Sequence, residues 1–91
     1  MTQIELSPAR TAAITIRLYA LNAAKADARA AYEIADAAGD TKAAGELFDV
    51  WAEANEAREA YLSSLDTRGV VVTWLPAGAF RLGQRYATTA A

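Results

Sequence analysis

Apolar positions along the first two thirds of the chain recur every three or four residues, the spacing of one face of an α-helix. Placed 100° apart from Pro8 onward, Ile14, Leu18, Leu21, Ala28, Tyr32 and Ala35 fall on one stripe. A second stripe follows Gly39-Asp40 and holds Leu47, Val50, Trp51, Ala54, Tyr61, Leu62 and Leu65. The punctuation agrees with this periodicity. Ser7-Pro8 supplies a capping hydroxyl and a proline at the first helical position, where its missing N–H costs nothing. Gly39 suits the left-handed residue just past a helix end, and Asp40 is a cap for the next helix. The pattern therefore predicts helices over 8–38 and 41–66, the first about 46 Å long at 1.5 Å per residue. So short a link forces the pair antiparallel, with facing residue numbers that sum to about 80. On that register Tyr32 meets Phe48, Ala28 lies beside Trp51, and Leu18 lies beside Leu62.

Beyond Gly69 the period changes to two. Val70-Val71-Val72-Thr73-Trp74-Leu75 is β-branched and aromatic, Pro76-Ala77-Gly78 is turn chemistry, and Phe80, Leu82 and Tyr86 then alternate with Arg81, Gly83 and Arg85. This predicts a β-hairpin over 70–86 followed by a frayed tail at 87–91. A helix over 79–90 is the alternative, weakened by Gly78 and Gly83. Two strands alone are marginal. The hairpin is therefore expected to pack on helix 1, to pair with Gln3–Leu6, or to pair across a dimer. The whole reads as a single domain, 1–91, mainly α, in which a long antiparallel helical hairpin carries a small C-terminal β-hairpin (α+β).

Composition weakens the picture of a self-sufficient fold. Hydrophobic residues are 54% of the chain, but 24 of its 91 residues are alanine, leaving 25 large apolar side chains. A single core this thin seldom supplies more than roughly 3–5 kcal/mol without a staple, a metal or a partner chain. There is no cysteine to form a staple, so self-association is the expected remedy.

With neither Cys nor His, a disulfide framework, a thiolate or imidazole metal site, a Cys nucleophile and a histidine base are all excluded. Glu53 and Glu56 lie at a spacing seen in carboxylate-bridged metal bundles, but that motif also requires a histidine three residues after a Glu. No enzyme and no cofactor is expected. The N-terminus lacks a basic start followed by an apolar run, so no signal peptide is expected. Helix 1 is broken by charges, and Val70–Leu75 is far too short to span a bilayer. A cytoplasmic protein is the expectation. Seven Arg against two Lys, with abundant Ala, is the usage of a GC-rich genome such as an actinobacterium or one of its phages.

A net charge of −2 conceals an asymmetry: residues 1–32 carry +2, residues 33–66 carry −7 and residues 67–91 carry +3. Each segment offers a candidate partner-binding surface. Helix 1 has a second apolar face, Ile16, Ala20, Ala23, Ala30, Ala31 and Ile34, with Tyr19 also off the stripe; the C-terminal segment or another copy is expected to cover it. Helix 2 presents Glu46, Asp49, Glu53 and Glu56 along one side, suited to a basic surface, and Phe48 at the stripe's margin. The hairpin sets Arg68, Arg81 and Arg85 beside Trp74, Phe80 and Tyr86, the composition of a weak nucleic-acid surface. Lys25 and Arg58 interrupt the stripes. Their stems are expected to pack while their heads reach water or a carboxylate such as Glu59; the alternative is a polar contact that sets the register of an oligomer interface. Together these features predict a non-enzymatic protein–protein interaction module, self-associating, acting as a small regulator or inhibitor or as a structural assembly component. Its partners would be itself or a larger host protein, with no membrane. The alternative is a nucleic-acid-associated protein using the basic hairpin.

Overall fold

The computed structural model describes residues 6–85; the strand pairing expected at 3–5, Tyr86 and the tail at 87–91 lie outside them. Two long helices, α1 (Pro8–Ala37) and α2 (Thr41–Thr67), precede two short strands, β1 (Val70–Trp74) and β2 (Phe80–Gln84). The helix ends fall within one residue of those predicted. Ser7 caps α1, its hydroxyl accepting from the Arg10 N–H at 3.2 Å. At the other end Gly39 takes φ 75°, a conformation that costs a residue with a Cβ but not glycine. The Gly39 and Asp40 N–H groups then donate back to the Asp36 and Ala35 carbonyls, both at 3.0 Å, the paired bonds of a Schellman cap. Asp40 also opens α2, its carboxylate accepting from the Ala43 N–H at 3.1 Å. One residue thus closes the first helix and starts the second, and the chain reverses with no slack.

The helices meet along a heptad seam. On α1 it runs Ile14, Leu18, Leu21, Lys25, Ala28, Tyr32, Ala35; on α2 it runs Ala44, Leu47, Trp51, Ala54, Arg58, Tyr61, Leu65. Steps of three and four alternate, and each of these positions is buried or half-buried. A 3.5-residue period is that of a left-handed coiled coil. The register is the one expected of the tight turn: the Tyr32 and Phe48 rings pack edge to face at 5.9 Å. Val50 corrects the expectation. It stands 51% exposed, because a straight 100° wheel swept it into the stripe whereas the supercoiled seam passes through Leu47 and Trp51. Ala44, absent from the expected stripe, is buried instead.

Large side chains concentrate at the open end, away from the turn. Ile14, Leu18, Leu65 and Val70 form the buried cluster, and Leu6, Tyr61, Leu62, Val72, Phe80 and Leu82 pack against it. Toward the turn the buried positions are the alanines Ala28, Ala35 and Ala44. The strands pair antiparallel from Val70 opposite Gln84 to Trp74 opposite Phe80. Directly opposed residues share a face, so Val70, Val72, Trp74, Phe80, Leu82 and Gln84 turn toward the helices and Val71, Thr73, Arg81 and Gly83 turn away. In the connecting 3-10 turn, Pro76–Gly78, Ala77 has φ 64°, which costs an alanine roughly 1–2 kcal/mol. A bond of 2.8 Å from the Leu75 N–H to the Ala79 carbonyl closes the loop around it.

Seam and flank should respond differently to truncation. Leu18 is 0% exposed, so Leu18→Ala is expected to cost roughly 2–5 kcal/mol in urea unfolding. Val50→Ala should stay within about 0.5 kcal/mol of the parent, and equal losses at both sites would refute the heptad seam.

Candidate interaction surfaces

The β-hairpin is held over the open half of the helical pair by aromatic and guanidinium contacts. The Tyr19 and Phe80 rings lie 5.1 Å apart, and Phe80 meets Trp74 edge to face at 5.5 Å. Arg58 joins three elements. Its Nε donates to Asn22 Oδ1 on α1 at 2.6 Å, its Nη1 reaches Glu59 at 2.9 Å, and its guanidinium lies 5.1 Å from the Trp74 ring centre on β1. With its side chain 18% exposed, the packed stem and carboxylate-bound head are those expected, and the Asn22 and Trp74 contacts are additions that spacing alone did not reveal. Lys25 lies over the Trp51 ring at 5.8 Å, and Arg17 over Tyr61 at 5.9 Å.

At the far end of β2 the hairpin is fastened again. Arg85 Nη2 donates to both the carboxylate and the backbone carbonyl of Asp66, each at 2.8 Å, while its N–H donates to the Gly69 carbonyl at 2.7 Å. Arg85 therefore spends its charge within the chain, and Arg81 is left exposed on the outer face. Gln84 is buried at 3% exposure and accepts a long 3.5 Å bond from Arg10. Its place in the alternation with Phe80 and Leu82 puts it on the inner face, although its own polarity does not mark it as interior.

The outer face of α1 is bare. Ile16 is 71% and Ile34 73% exposed, with Ala20, Ala23 and Ala30 exposed between them. Among the described residues the hairpin touches Tyr19 through Phe80 and leaves this face uncovered, so of the two expected covers the C-terminal segment supplies none through residue 85.

The turn half carries the remaining predicted residues. Phe48, 49% exposed, sits between Tyr32 and Trp51, its ring 5.7 Å from the Trp51 ring. These three rings with Arg29 and Glu33 line a cleft of about 190 Å³, in which Arg29 and Glu33 pair at 3.1 Å. The Trp51 indole N–H is shielded and has no acceptor among the described residues. A broader, open hollow of about 800 Å³ lies beside it, lined in part by Tyr32, Asp36, Glu46, Phe48 and Asp49. Glu46, Asp49, Glu53 and Glu56 are all exposed or half-exposed, and none of them is in an ion pair among the described residues. The acidic stripe runs from the turn to the middle of α2, and the basic hairpin lies over the open half.

Among the described residues, no cluster of Asp and Glu is placed to hold a metal ion, and no helix is long and apolar enough to cross a membrane. Fold and surfaces together define a class: an antiparallel helical hairpin, mainly α, with a two-stranded β-hairpin laid over its open end. No protein-family model matches the chain, and neither a curated protein nor a solved structure matches it.

Arg58 is the point where α1, α2 and β1 depend on one side chain. Arg58→Ala should cost about 1–3 kcal/mol, because Asn22 loses a charged donor and the Trp74 ring loses its cover. Trp74 fluorescence should shift red before global unfolding in urea; Arg58→Lys should recover only part of the loss, since a lysine cannot stack or fork. An unchanged unfolding midpoint in Arg58→Ala would show that the three-way contact adds nothing to stability.

Proposed function

We propose that the protein is a non-enzymatic protein–protein interaction module, a small regulator or a structural component of an assembly, which docks through the outer face of α1. The observation that carries this reading is the exposure of Ile16 and Ile34, 71% and 73%, on a face turned away from both α2 and the hairpin. Large aliphatic side chains so placed contribute nothing to the monomer. Buried by a partner, each contributes about 1.5–3 kcal/mol, and the alanines between them allow another backbone to approach closely. The same positions are free to be polar as far as the monomer's own stability is concerned.

The chemistry of the chain favours recognition over catalysis. It has no histidine or cysteine, and its clefts bring together aromatic rings and an already paired Arg29–Glu33 in place of a nucleophile and base. A nucleic-acid role is supported less well. Affinity for a duplex grows with the number of phosphates neutralised, and with Arg85 tied to Asp66 the outer hairpin face offers little beyond Arg81.

The double variant Ile16→Glu/Ile34→Glu isolates the face. It should unfold at the parent's temperature, because both side chains are solvated, while losing every protein that the parent captures from extracts of the source organism. Capture unchanged by the two substitutions would overturn the assignment of this surface.

A further inference from the structure

The β-hairpin lies over only half of one side of the helical pair, and the heptad spacing shows what the other half, uncovered among the described residues, presents. On the hairpin's side Tyr19 of α1 meets Phe80, Asn22 of α1 holds the Arg58 that lies over Trp74, and Leu62 of α2 packs against the cluster that contains Val70. Residues seven or fourteen apart occupy the same heptad position and the same side. Toward the turn, Glu33 therefore repeats the position of Tyr19, Arg29 and Asp36 that of Asn22, and Phe48 that of Leu62. The side sheltered by the hairpin continues unsheltered as the aromatic cleft of Tyr32, Phe48 and Trp51 with Glu33 at its edge.

From these placements we infer that the open half receives the outer hairpin face of a second copy, in a two-fold dimer in which each hairpin lies over the other's turn half. This surface is separate from the outer face of α1 assigned above. Three features support the match. On the side of the cleft the turn half carries the Arg29–Glu33 pair and Asp36, a net −1, whereas the hairpin segment 67–85 holds three bases and no acid. The outer hairpin face sets Val71, Thr73 and Gly83 around Arg81, which is exposed and in no ion pair among the described residues. The cleft that faces it is walled by aromatic rings, on which a guanidinium stacks. Glu33 is already paired with Arg29, so the attraction for Arg81 comes from the rings and from the unpaired Asp36 beside them.

The arrangement closes on itself. With the two copies antiparallel, hairpin one covers cleft two and hairpin two covers cleft one, so a single contact made twice shelters both aromatic clusters. The dimer then has three layers, helices outside and the two hairpins end to end between them. It supplies the burial that so alanine-rich a core lacks, and it leaves Ile16 and Ile34 outside.

Charge exchange tests the contact directly. By sedimentation velocity the parent should be a dimer that salt weakens, and Arg81→Glu should weaken it at least about tenfold. Glu33→Lys/Asp36→Lys should weaken it similarly. Mixing the two variants should restore a heterodimer, because the reversed hairpin then faces a reversed cleft while the other contact of the same dimer keeps its native charges. Circular dichroism melts of each variant show that the fold persists, as all three positions are exposed. Two results overturn the inference: a parent that stays monomeric at high micromolar concentration, or a dimer that survives both variants. Ile16→Glu/Ile34→Glu should leave the dimer intact. If that variant dissociates it and Arg81→Glu does not, self-association runs through α1 and the hairpin contact is wrong, while the interaction reading of the α1 face stands. If capture from extracts is unaffected by the isoleucine changes and the charge exchange succeeds, the reverse holds.

Discussion

The reversal at Gly39-Asp40 constrains everything else in this molecule. The bonds from Gly39 and Asp40 back into the last turn of α1, and from Ala43 to the Asp40 carboxylate, leave no slack between the helices. The register of the seam is set there, at one end, and is carried along the length of both helices by alternating steps of three and four. Asn22 finds Arg58, and Tyr32 finds Phe48, because the turn has already decided which residues face each other. An extra residue in that link would move each seam side chain about 1.5 Å along its neighbour and rotate the stripes out of contact.

A helical pair built so largely from alanine is close-fitting but gains little from burial. The gain is concentrated at the open end, where Ile14, Leu18, Leu65 and Val70 are shut in by Val72, Phe80 and Leu82. There the hairpin acts as a lid over the ends of the helices, fastened at its tip by Arg58 under Trp74 and at its base by Arg85 on Asp66. Among the described residues nothing comparable covers the turn end, where the aromatic trio of Tyr32, Phe48 and Trp51 substitutes for a core and stays partly in water. The end with the apolar core is closed by the hairpin, and the end with few large apolar residues holds most of the acids.

Much of this architecture is legible in the order of the residues. Ser7-Pro8, Gly39-Asp40 and Gly69 are local signals whose meaning depends only on the backbone of a few residues, and they place the element ends to within a residue. The apolar character of the outer face of α1 is equally legible, because Ile16 and Ile34 stand opposite the seam on any helix; its exposure is not, since the C-terminal segment was one of its expected covers. The misplacement of Val50 has a definite cause: periodicity read on a straight helix drifts from a supercoiled seam by about 20° per heptad. The hairpin's landing place is not legible at all. Its inner face is clear from alternation, but which side of the helices it chooses depends on Arg58, Asn22 and Trp74 coming together from three distant stretches of chain.

What the sequence determined by itself was local: two helices, a hairpin, the tight reversal, and the separation of acidic from basic segments. These follow from backbone preferences and from the fixed periods of helix and strand, which act over a few residues at a time. The tertiary structure alone decided that Arg85 pairs with Asp66 while Arg81 has no ion pair among the described residues, that Gln84 is almost fully buried, and that the Phe48 ring stays half exposed at the turn end. Those outcomes turn on distances between residues far apart in the chain. Charge pairing and burial are properties of such distances, and no periodicity within a single segment contains them.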